Sequence, residues 1–260
     1  MIDRDPSTGM VYLVGAGPGA PDLITVRGWN LLRRADVVVY DALVHPELIA
    51  AARPDAERVY AGKRGYCVGS TLQETINDVL VNRAREGLTV VRLKGGDPCV
   101  FGRGGEEAEY LAERGVPFEI VPGVTTAVGA CAAASIPLTH RDAGQAVALI
   151  TGHFDPDSPD CALDWAGLAR MSNVVVYMGL RHVAKICQRL IAAGMSPDTP
   201  AAVVASATLP DQVVMDSPLS QLAAAVREVG VKAPAVVVIG EAVGHRPKLL
   251  GLATTSVPAT

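Results

Sequence analysis

Short runs of valine, leucine and isoleucine alternate along the chain with segments whose apolar residues recur at helical spacing. Residues 10–14, 37–40 and 88–93 predict strands in the first half, and residues 174–178 and 235–239 predict strands in the second half. Residues 146–150 continue the same pattern. Buried strands that alternate with helices are typical of α/β proteins with mostly parallel sheets.

Four segments between these strands have helical patterns. Residues 25–35 place Val26, Trp29 and Leu32 on one face. Ser70 and Gln73 form a capping box ahead of a helix that Gly87 closes. The remaining predicted helices span 106–114 and 182–193, and each is followed by glycine.

The pattern predicts two domains. Residues 201–206 and 212–215 flank a turn, so they are compatible with an antiparallel hairpin in the second half. We predict an N-terminal α/β domain over 10–125 and a C-terminal α/β domain over 126–247. Residues 248–260 are expected to form a disordered tail.

The composition and net charge argue against several classes of function. The 260 residues are 49% hydrophobic and carry a net charge of −4, so we expect a sizeable core and no nucleic-acid partner. The five cysteines form no CxxC pair and the histidines lack ligand spacing, so no metal is expected. The beginning of the chain has no apolar signal region, and the stretch 124–138 is too short to span a bilayer. We therefore expect a cytoplasmic protein without a membrane partner.

A first glycine-rich loop, GAGPGA at 15–20, follows the first strand. It fits the dinucleotide fingerprint, and Asp41 after the second strand mimics the acidic ribose ligand of such sites. An NAD(P)-dependent oxidoreductase is therefore an alternative. Pro18 removes a backbone donor from this loop, and the next helix begins only near Thr25, too late to direct its N-terminus at a phosphate.

A second loop, RLKGGDPCVFGRGGEE at 92–107, places five glycines around an acid, a lysine and an arginine after a strand. Open α/β sheets bind ligands at the carboxyl ends of their strands. Glycines let the backbone approach a ligand closely, so this loop predicts a binding site better than a simple turn.

With these loops the sequence resembles the uroporphyrinogen-III C-methyltransferases of the tetrapyrrole methylase family. The resemblance runs from about residue 11 to 247 and includes these ordered motifs: VYLVGAGPG, ADVVVYDALV, GKR, VRLKGGDP-VFGRGGEE, VPGVTTA, IPLTHRD, TGH and YMG. It implies two α/β domains with the active site in the cleft between them, and a homodimer. The implied reaction transfers two methyl groups from S-adenosylmethionine to uroporphyrinogen III, giving precorrin-2 for siroheme or cobalamin synthesis.

The resemblance assigns residues to the methyl donor, S-adenosyl-L-methionine, or to its product. The motif positions implied as contacts are Pro18, Gly95, Gly96, Asp97, Val100, Thr125, Thr126, Met178 and Ala207. Asp97 would accept from the ligand's amino group, and Met178 would supply a polarizable apolar wall. A turn role for Asp97 and ordinary core filling for Met178 remain alternatives.

Catalytic roles fall, by the same resemblance, on Asp41 and on Lys63 of the GKR motif. An electron-rich pyrrole carbon attacks the sulfonium methyl group, and the resulting cation must lose a proton, which a carboxylate such as Asp41 can accept. Lys63 either donates a proton or pairs with a substrate propionate.

Uroporphyrinogen carries eight carboxylates, so cations must line its site. Arg103 and Arg141 are the first candidates, followed by Arg64, Arg27 and His140. Arginine binds carboxylates bidentately, so these residues would orient the macrocycle as well as neutralise it.

Three positions depart from the family pattern, namely Ala20, Cys99 and Ala207. Cys99 replaces a usual phenylalanine and thins an apolar wall, whereas Ala207 is a small steric change. We also expect no dehydrogenase and ferrochelatase domain of the kind fused in siroheme synthases, so precorrin-2 is the expected end product. Another tetrapyrrole methylase activity, or a ligand-binding module without turnover, remains an alternative.

Overall fold

The computed structural model describes residues 9–62 and 73–250. The chain divides into two compact units, Met1–Thr126 and Ala127–Thr260. The sequence pattern placed this division one residue earlier. Among the described residues, no helix is both long enough and apolar enough to cross a bilayer.

The first unit contains a five-stranded sheet in which every pairing is parallel. Its strands are β1 (Met10–Gly15), β2 (Val37–Tyr40), β3 (Glu57–Tyr60), β4 (Thr89–Lys94) and β5 (Phe118–Val121), in the order β3-β2-β4-β1-β5. The predicted strands β1, β2 and β4 are confirmed. The sequence pattern missed β3 and β5, because each has only four residues and carries a charged side chain.

Helices cover both faces of this sheet. They are α1 (Val26–Leu32), α2 (Pro46–Ala50), α3 (Gln73–Arg85) and α4 (Gly104–Glu113). Thr25 caps α1, because its Oγ1 accepts from the Gly28 amide at 3.1 Å. Helix α4 begins two residues before the predicted start, and Ser70 of the predicted capping box lies outside the described residues.

The alternation of side chains along the strands decides which helices they meet. Val37 and Val39 pack with the α3 residues Ile76 and Leu80 on one face. Val38 packs on the opposite face with the cluster formed by α1 and α2. In β4, Val90 belongs to the first face and Val91 to the second, so Arg92 and Lys94 point toward α3 and α4.

The second unit also contains a five-stranded sheet, but most of its pairings are antiparallel. Its strands are β6 (Val147–Thr151), β7 (Asn173–Tyr177), β8 (Pro200–Ala205), β9 (Val213–Pro218) and β10 (Ala235–Gly240), in the order β6-β7-β10-β8-β9. Only β6 and β7 pair in parallel. The prediction of mostly parallel strands is therefore confirmed for the first unit and wrong for the second.

A hairpin causes this difference. The short connection from β8 to β9 reverses the chain, as expected of the hairpin seen in the sequence. Strand β10 keeps the direction of β9 and inserts between β7 and β8, so it is antiparallel to both. The alternation of strands and helices does not reveal that insertion.

The helices of the second unit are α5 (Thr126–Ala133, of which only Thr126 belongs to the first unit), α6 (Trp165–Ala169), α7 (Val183–Ala192), α8 (Leu219–Val229) and α9 (Arg246–Leu250). Helix α8 is amphipathic, since Leu219, Leu222 and Val226 recur on its buried face. The core formed by α7, α8 and the sheet consists mainly of apolar side chains, with Asn173 of β7 as a buried polar residue. Helix α9 includes residues 248–250, which were expected to belong to a disordered tail, and the rest of that tail lies outside the described residues.

Candidate active site

The carboxyl edge of the first sheet gathers the loops that follow β1, β4 and β5. These three strands are neighbours and run in parallel, so their ends lie together. The two glycine-rich loops pair through their backbones: the Gly17 amide donates to the Gly96 carbonyl at 3.2 Å, and the Gly96 amide donates to the Gly17 carbonyl at 2.7 Å. The sheet thus joins two distant sequence motifs.

Glycine is required where the three loops touch. A Cβ atom on Gly123 would lie 2.3 Å from the Gly96 carbonyl oxygen and 2.7 Å from the Gly15 Cα. A Cβ atom on Gly15 would lie 2.5 Å from the Gly123 Cα. Backbone therefore packs directly on backbone, and any side chain at these positions would separate the loops.

Asp97 ties two of these loops together. Its Oδ1 accepts from the Cys99 amide at 2.8 Å, and its Oδ2 accepts from the Gly123 amide at 3.0 Å. This is the turn role that the sequence left open. Carboxylate oxygens have further lone pairs, so a ligand contact by Asp97 stays a prediction.

Part of the glycine content of the second loop has a structural cause. Cβ atoms on Gly102 and Gly104 would lie 2.6 Å and 2.4 Å from the Pro98 carbonyl oxygen. Gly102 and Gly104 are therefore required by the close approach of the Pro98 backbone. A Cβ on Gly96 would meet Thr126 Oγ1 at 3.6 Å, an ordinary contact distance, so the chain does not fill that side of Gly96.

Other predicted contacts lie along the same edge. Pro18 follows the paired Gly17, and Thr125 and Thr126 lead into α5 directly after the Gly123 contact. Val100 is partly buried in the second loop. The first unit thus brings together seven of the nine positions assigned to the methyl donor.

Asp41 directly follows β2, and its carboxylate is held by a buried arginine. Arg92 Nη2 lies 2.5 Å from Asp41 Oδ1. The Arg92 side chain is 3% exposed and that of Asp41 is 29% exposed. No donor to Asp41 Oδ2 is found among residues 9–62 and 73–250.

Two further charged groups, which the sequence motifs did not predict, lie behind Arg92. Glu107 of α4 is fully buried, and its Oε1 accepts from Arg92 Nε at 3.2 Å and from Lys94 Nζ at 2.9 Å. Gln73 Nε2 donates to the same oxygen at 3.1 Å. The sequence contains a signal for these groups. VVRLK places Arg92 and Lys94 on one face of a strand that is buried by its neighbours. We call Asp41, Arg92, Lys94 and Glu107 the buried charge cluster.

Burial and charge shift the pKa values of two groups near this cluster. Burial lowers the pKa of the Lys94 ammonium, and the positive charge of Arg92 lowers it further, although Glu107 and Asp41 oppose the shift. Burial raises the pKa of the Cys99 thiol, and Asp97 adds to that increase. Cys99 is therefore not an activated thiolate.

The cations predicted to bind the substrate have different surroundings. Arg103 forms an ion pair with Glu106 one helical turn away, with Nη2 2.5 Å from Oε2. Arg141 is exposed and forms no ion pair with any residue that the structure describes. His140 Nδ1 accepts from the Asp142 amide at 3.1 Å. Lys63 and Arg64 lie outside the described residues.

His140 also contacts a residue far along the chain. Its ring stacks on that of His245, with the ring centroids 3.9 Å apart. The stack fixes the ring within the second unit. His140 therefore has a packing role there, and its contact with substrate stays a prediction.

The second unit supplies the two remaining predicted contacts with the methyl donor. Met178 follows β7, has a φ of 55° and is 50% exposed, so it does not fill the core. Ala207 is buried between Ser206 and Thr208, whose φ values are 46° and 67°. Left-handed backbone at residues other than glycine costs energy and concentrates at functional sites.

The start of α1 bears on the oxidoreductase alternative. The turn Pro21–Leu23 separates the first loop from α1, and Thr25 is the cap residue, so the helix begins next to its predicted start. A dinucleotide site needs the helix N-terminus directly after the glycine loop. The geometry does not favour that alternative. The part of the chain that the structure covers contains no group of three or more His, Cys, Asp or Glu side chains able to hold a metal.

The fold and this edge define a class of protein. A parallel sheet with helices on both faces, paired glycine loops and a carboxylate at the carboxyl edge is the arrangement of α/β enzymes that bind small ligands there. The chain belongs to the Tetrapyrrole (Corrin/Porphyrin) Methylases, whose family model matches residues 10–223.

Similar proteins of known sequence or structure agree with this assignment. The siroheme synthase of Azotobacter vinelandii is 52% identical over 242 residues, which cover 93% of this chain and 52% of that protein. The chain thus spans about half the length of the curated relatives it matches. A uroporphyrin-III C-methyltransferase structure from Thermus thermophilus is 41% identical, with a TM-score of 0.79 and coverage of 93% of this chain and 98% of that one.

A second structure of the Thermus thermophilus enzyme is a complex with S-adenosylhomocysteine. It is 40% identical to this chain, with a TM-score of 0.77, and the match covers 91% of this chain and 99% of that one. The similarity therefore extends over nearly the whole of both chains.

Proposed function

We propose that this chain is an S-adenosylmethionine-dependent uroporphyrinogen-III C-methyltransferase. It transfers two methyl groups to uroporphyrinogen III and produces precorrin-2, which serves siroheme or cobalamin synthesis. The observation that carries this proposal is the 41% identity to a uroporphyrin-III C-methyltransferase that the chain covers almost completely. Membership of the tetrapyrrole methylases supports the same substrate class.

Asp41 is the proposed proton acceptor. The methyl donor supplies an electrophilic methyl group, and the methylated pyrrole must afterwards lose a proton. Arg92 occupies Oδ1 of Asp41, whereas Oδ2 has no donor among the described residues. Oδ2 is therefore the oxygen that would accept the proton, directly or through water.

The loop edge of the first unit is the proposed place for the methyl donor. Gly95, Gly96 and Thr126 present backbone and small side chains there, and the chain leaves ordinary contact distances around Gly96. Such a surface fits a ligand that approaches the backbone closely. Met178 and Ala207 are assigned to the same ligand by sequence resemblance, and the exposed side chain of Met178 fits an apolar contact.

Substrate carboxylates would be bound by Arg103, Arg141, Arg64 and His140. Arg103 is paired with Glu106, so a propionate would have to compete with that carboxylate. The pair is exposed, and exposed ion pairs are weak, so the exchange costs little. Lys63 is proposed either as a proton donor or as a further propionate contact.

A homodimer and a cytoplasmic location complete the proposal. The homodimer is implied by the family resemblance, and the cytoplasmic location is an expectation from the sequence. The four described cysteines, Cys99, Cys131, Cys161 and Cys187, are free thiols, which suits a reducing compartment. Sedimentation analysis of the purified protein tests the dimer.

The function is tested by mass spectrometry of the product formed from uroporphyrinogen III and methyl-labelled S-adenosylmethionine. The proposal expects species with one and then two labelled methyl groups, which on oxidation give a fluorescent chlorin-like chromophore. An unlabelled tetrapyrrole would refute it. Label in a different tetrapyrrole supplied in a parallel assay, with none in uroporphyrinogen III, would instead identify another methylase activity of the family.

A further inference from the structure

The buried charge cluster contains more charge than the proposed reaction uses. Arg92, Lys94 and Glu107 are each at most 3% exposed, and they lie behind Asp41 on one face of the sheet. Removing charges from water is expensive, and apolar side chains in such places are often equally or more stabilising. Glu107 Oε2 is also buried without a hydrogen-bond partner among the described residues. Stability alone therefore does not explain this cluster.

The guanidinium of Arg92 is fixed at each of its nitrogen atoms. Nε donates to Glu107 Oε1 at 3.2 Å, and Nη1 lies 3.4 Å from the carbonyl oxygens of Val39 and Leu93. Nη2 is thereby directed at Asp41 Oδ1. A planar guanidinium held at two other nitrogens cannot follow a carboxylate that moves, so it sets where the carboxylate lies.

Strand register explains why these groups meet. Val39 is opposite Arg92 in the parallel pair of β2 and β4, so Asp41 lies two residues further along the same face. Glu107 reaches this face from the first turn of α4, and Gln73 reaches it from the first turn of α3. Two helices and two strands thus determine one carboxylate position.

We propose that Arg92 is a positioning residue for Asp41, and that Glu107, itself neutralised by Lys94, holds Arg92 in place. This inference rests on the proposed methyl transfer. It assigns Arg92 no contact with the reacting atoms. Arg92 affects the rate of methyl transfer only by setting where the Asp41 carboxylate lies.

The test is a double-mutant cycle of Arg92→Gln and Asp41→Asn, measured as kcat and KM for methyl transfer to uroporphyrinogen III. Arg92→Gln is expected to lower kcat by about a hundredfold, since a catalytic group displaced by about 1 Å can cost that much. KM for the methyl donor and the binding of S-adenosylhomocysteine should stay unchanged. In the Asp41→Asn background, Arg92→Gln should cause little further loss of kcat.

Arg83→Gln is the matched control, because Arg83 pairs with Glu57 and Glu86 on the surface of the same unit. It should leave kcat unchanged. Arg92→Lys keeps a cation but lacks the second arm needed to reach Glu107 and Asp41 together, so kcat should stay well below that of the wild type.

The proposal would be overturned if the fold-losses of kcat in the two single variants multiplied in the double mutant. Full activity of Arg92→Lys would also overturn it. Failure of both Arg92 variants to fold at the assay temperature would also overturn it, because Arg92 would then be a structural requirement. A wild-type protein that transfers no methyl group would refute the proposed function instead. The two failures are therefore distinguishable.

Discussion

Two clusters of similar charges occur in this molecule in opposite surroundings. The buried charge cluster of the first unit and a surface charge cluster of Asp155, Asp157, Lys185 and Arg189 in the second unit each contain one arginine, one lysine and two carboxylates. Side chains of the surface cluster are 39% to 52% exposed. In the buried cluster, Asp41 is the most exposed member, at 29%.

The difference shows that ion pairs with similar distances can serve different purposes. Lys185 Nζ lies 2.7 Å from Asp155 and 2.9 Å from Asp157, as close as the contacts of Glu107. In water these pairs are screened and contribute little to stability. In the buried cluster each charge depends on the others, because an unpaired charge there would be costly. The buried contacts therefore constrain geometry, whereas the exposed ones do not.

The largest expected effect is on stability when one buried carboxylate is neutralised. Glu107→Gln leaves Arg92 and Lys94 without their shared anion and should lower the free energy of unfolding by about 3–5 kcal/mol. Asp157→Asn, the matched change in the surface cluster, should unfold close to the wild type. Urea denaturation of both variants measures the difference. Equal losses of unfolding free energy in the two variants would show that the buried and surface clusters do not differ in this respect.

An intermediate effect concerns alkaline pH and Lys94. Its pKa in the folded state is lowered by burial, so between that value and the unfolded value of about 10.4 the unfolded chain binds more protons. Stability therefore rises as pH increases through this window, by at most about 1.4 kcal/mol per pH unit. Lys94→Met removes this contribution. The free energies of unfolding of the wild type and Lys94→Met should diverge as pH rises toward the unfolded pKa in a series of denaturation curves, and parallel pH profiles would contradict the assignment.

The smallest effect is expected for the surface cluster at acidic pH. Hydrogen bonds from Lys185 lower the pKa of Asp155 and Asp157. Their contribution is present above the unfolded pKa of about 3.9 and is lost as pH falls through the lowered folded values. At pH values above that window, Lys185→Met should lower the free energy of unfolding by a small amount. High salt should remove this difference between the variant and the wild type. A salt-resistant loss would show that this cluster is more than a solvated surface.

The sequence predicted the first unit well because its signals are local. Valine runs in β1, β2 and β4 and the late start of α1 at Thr25 depend only on neighbouring residues. The insertion of β10 between β7 and β8 depends on packing between distant segments, and no local pattern encodes it. The antiparallel pairings of β10 with β7 and β8 were therefore missed.

The same distinction applies to the site. The motifs identified both glycine loops and Asp41, because residue types at fixed spacing carry that information. The role of Asp97 was less certain, since its bond to Gly123 joins segments 26 residues apart. Arg92, Lys94 and Glu107 were missed as a group because they meet only when β4, α3 and α4 pack.

The central claim is that Asp41, held within the buried charge cluster, takes part in methyl transfer. The most direct test is a single-turnover assay of labelled methyl transfer to uroporphyrinogen III by the wild type, Asp41→Ala and Asp157→Ala, with S-adenosylhomocysteine binding measured by calorimetry. We predict transfer by the wild type and Asp157→Ala, and loss of at least about a hundredfold in Asp41→Ala with binding retained. Transfer by Asp41→Ala at the wild-type rate would contradict the claim.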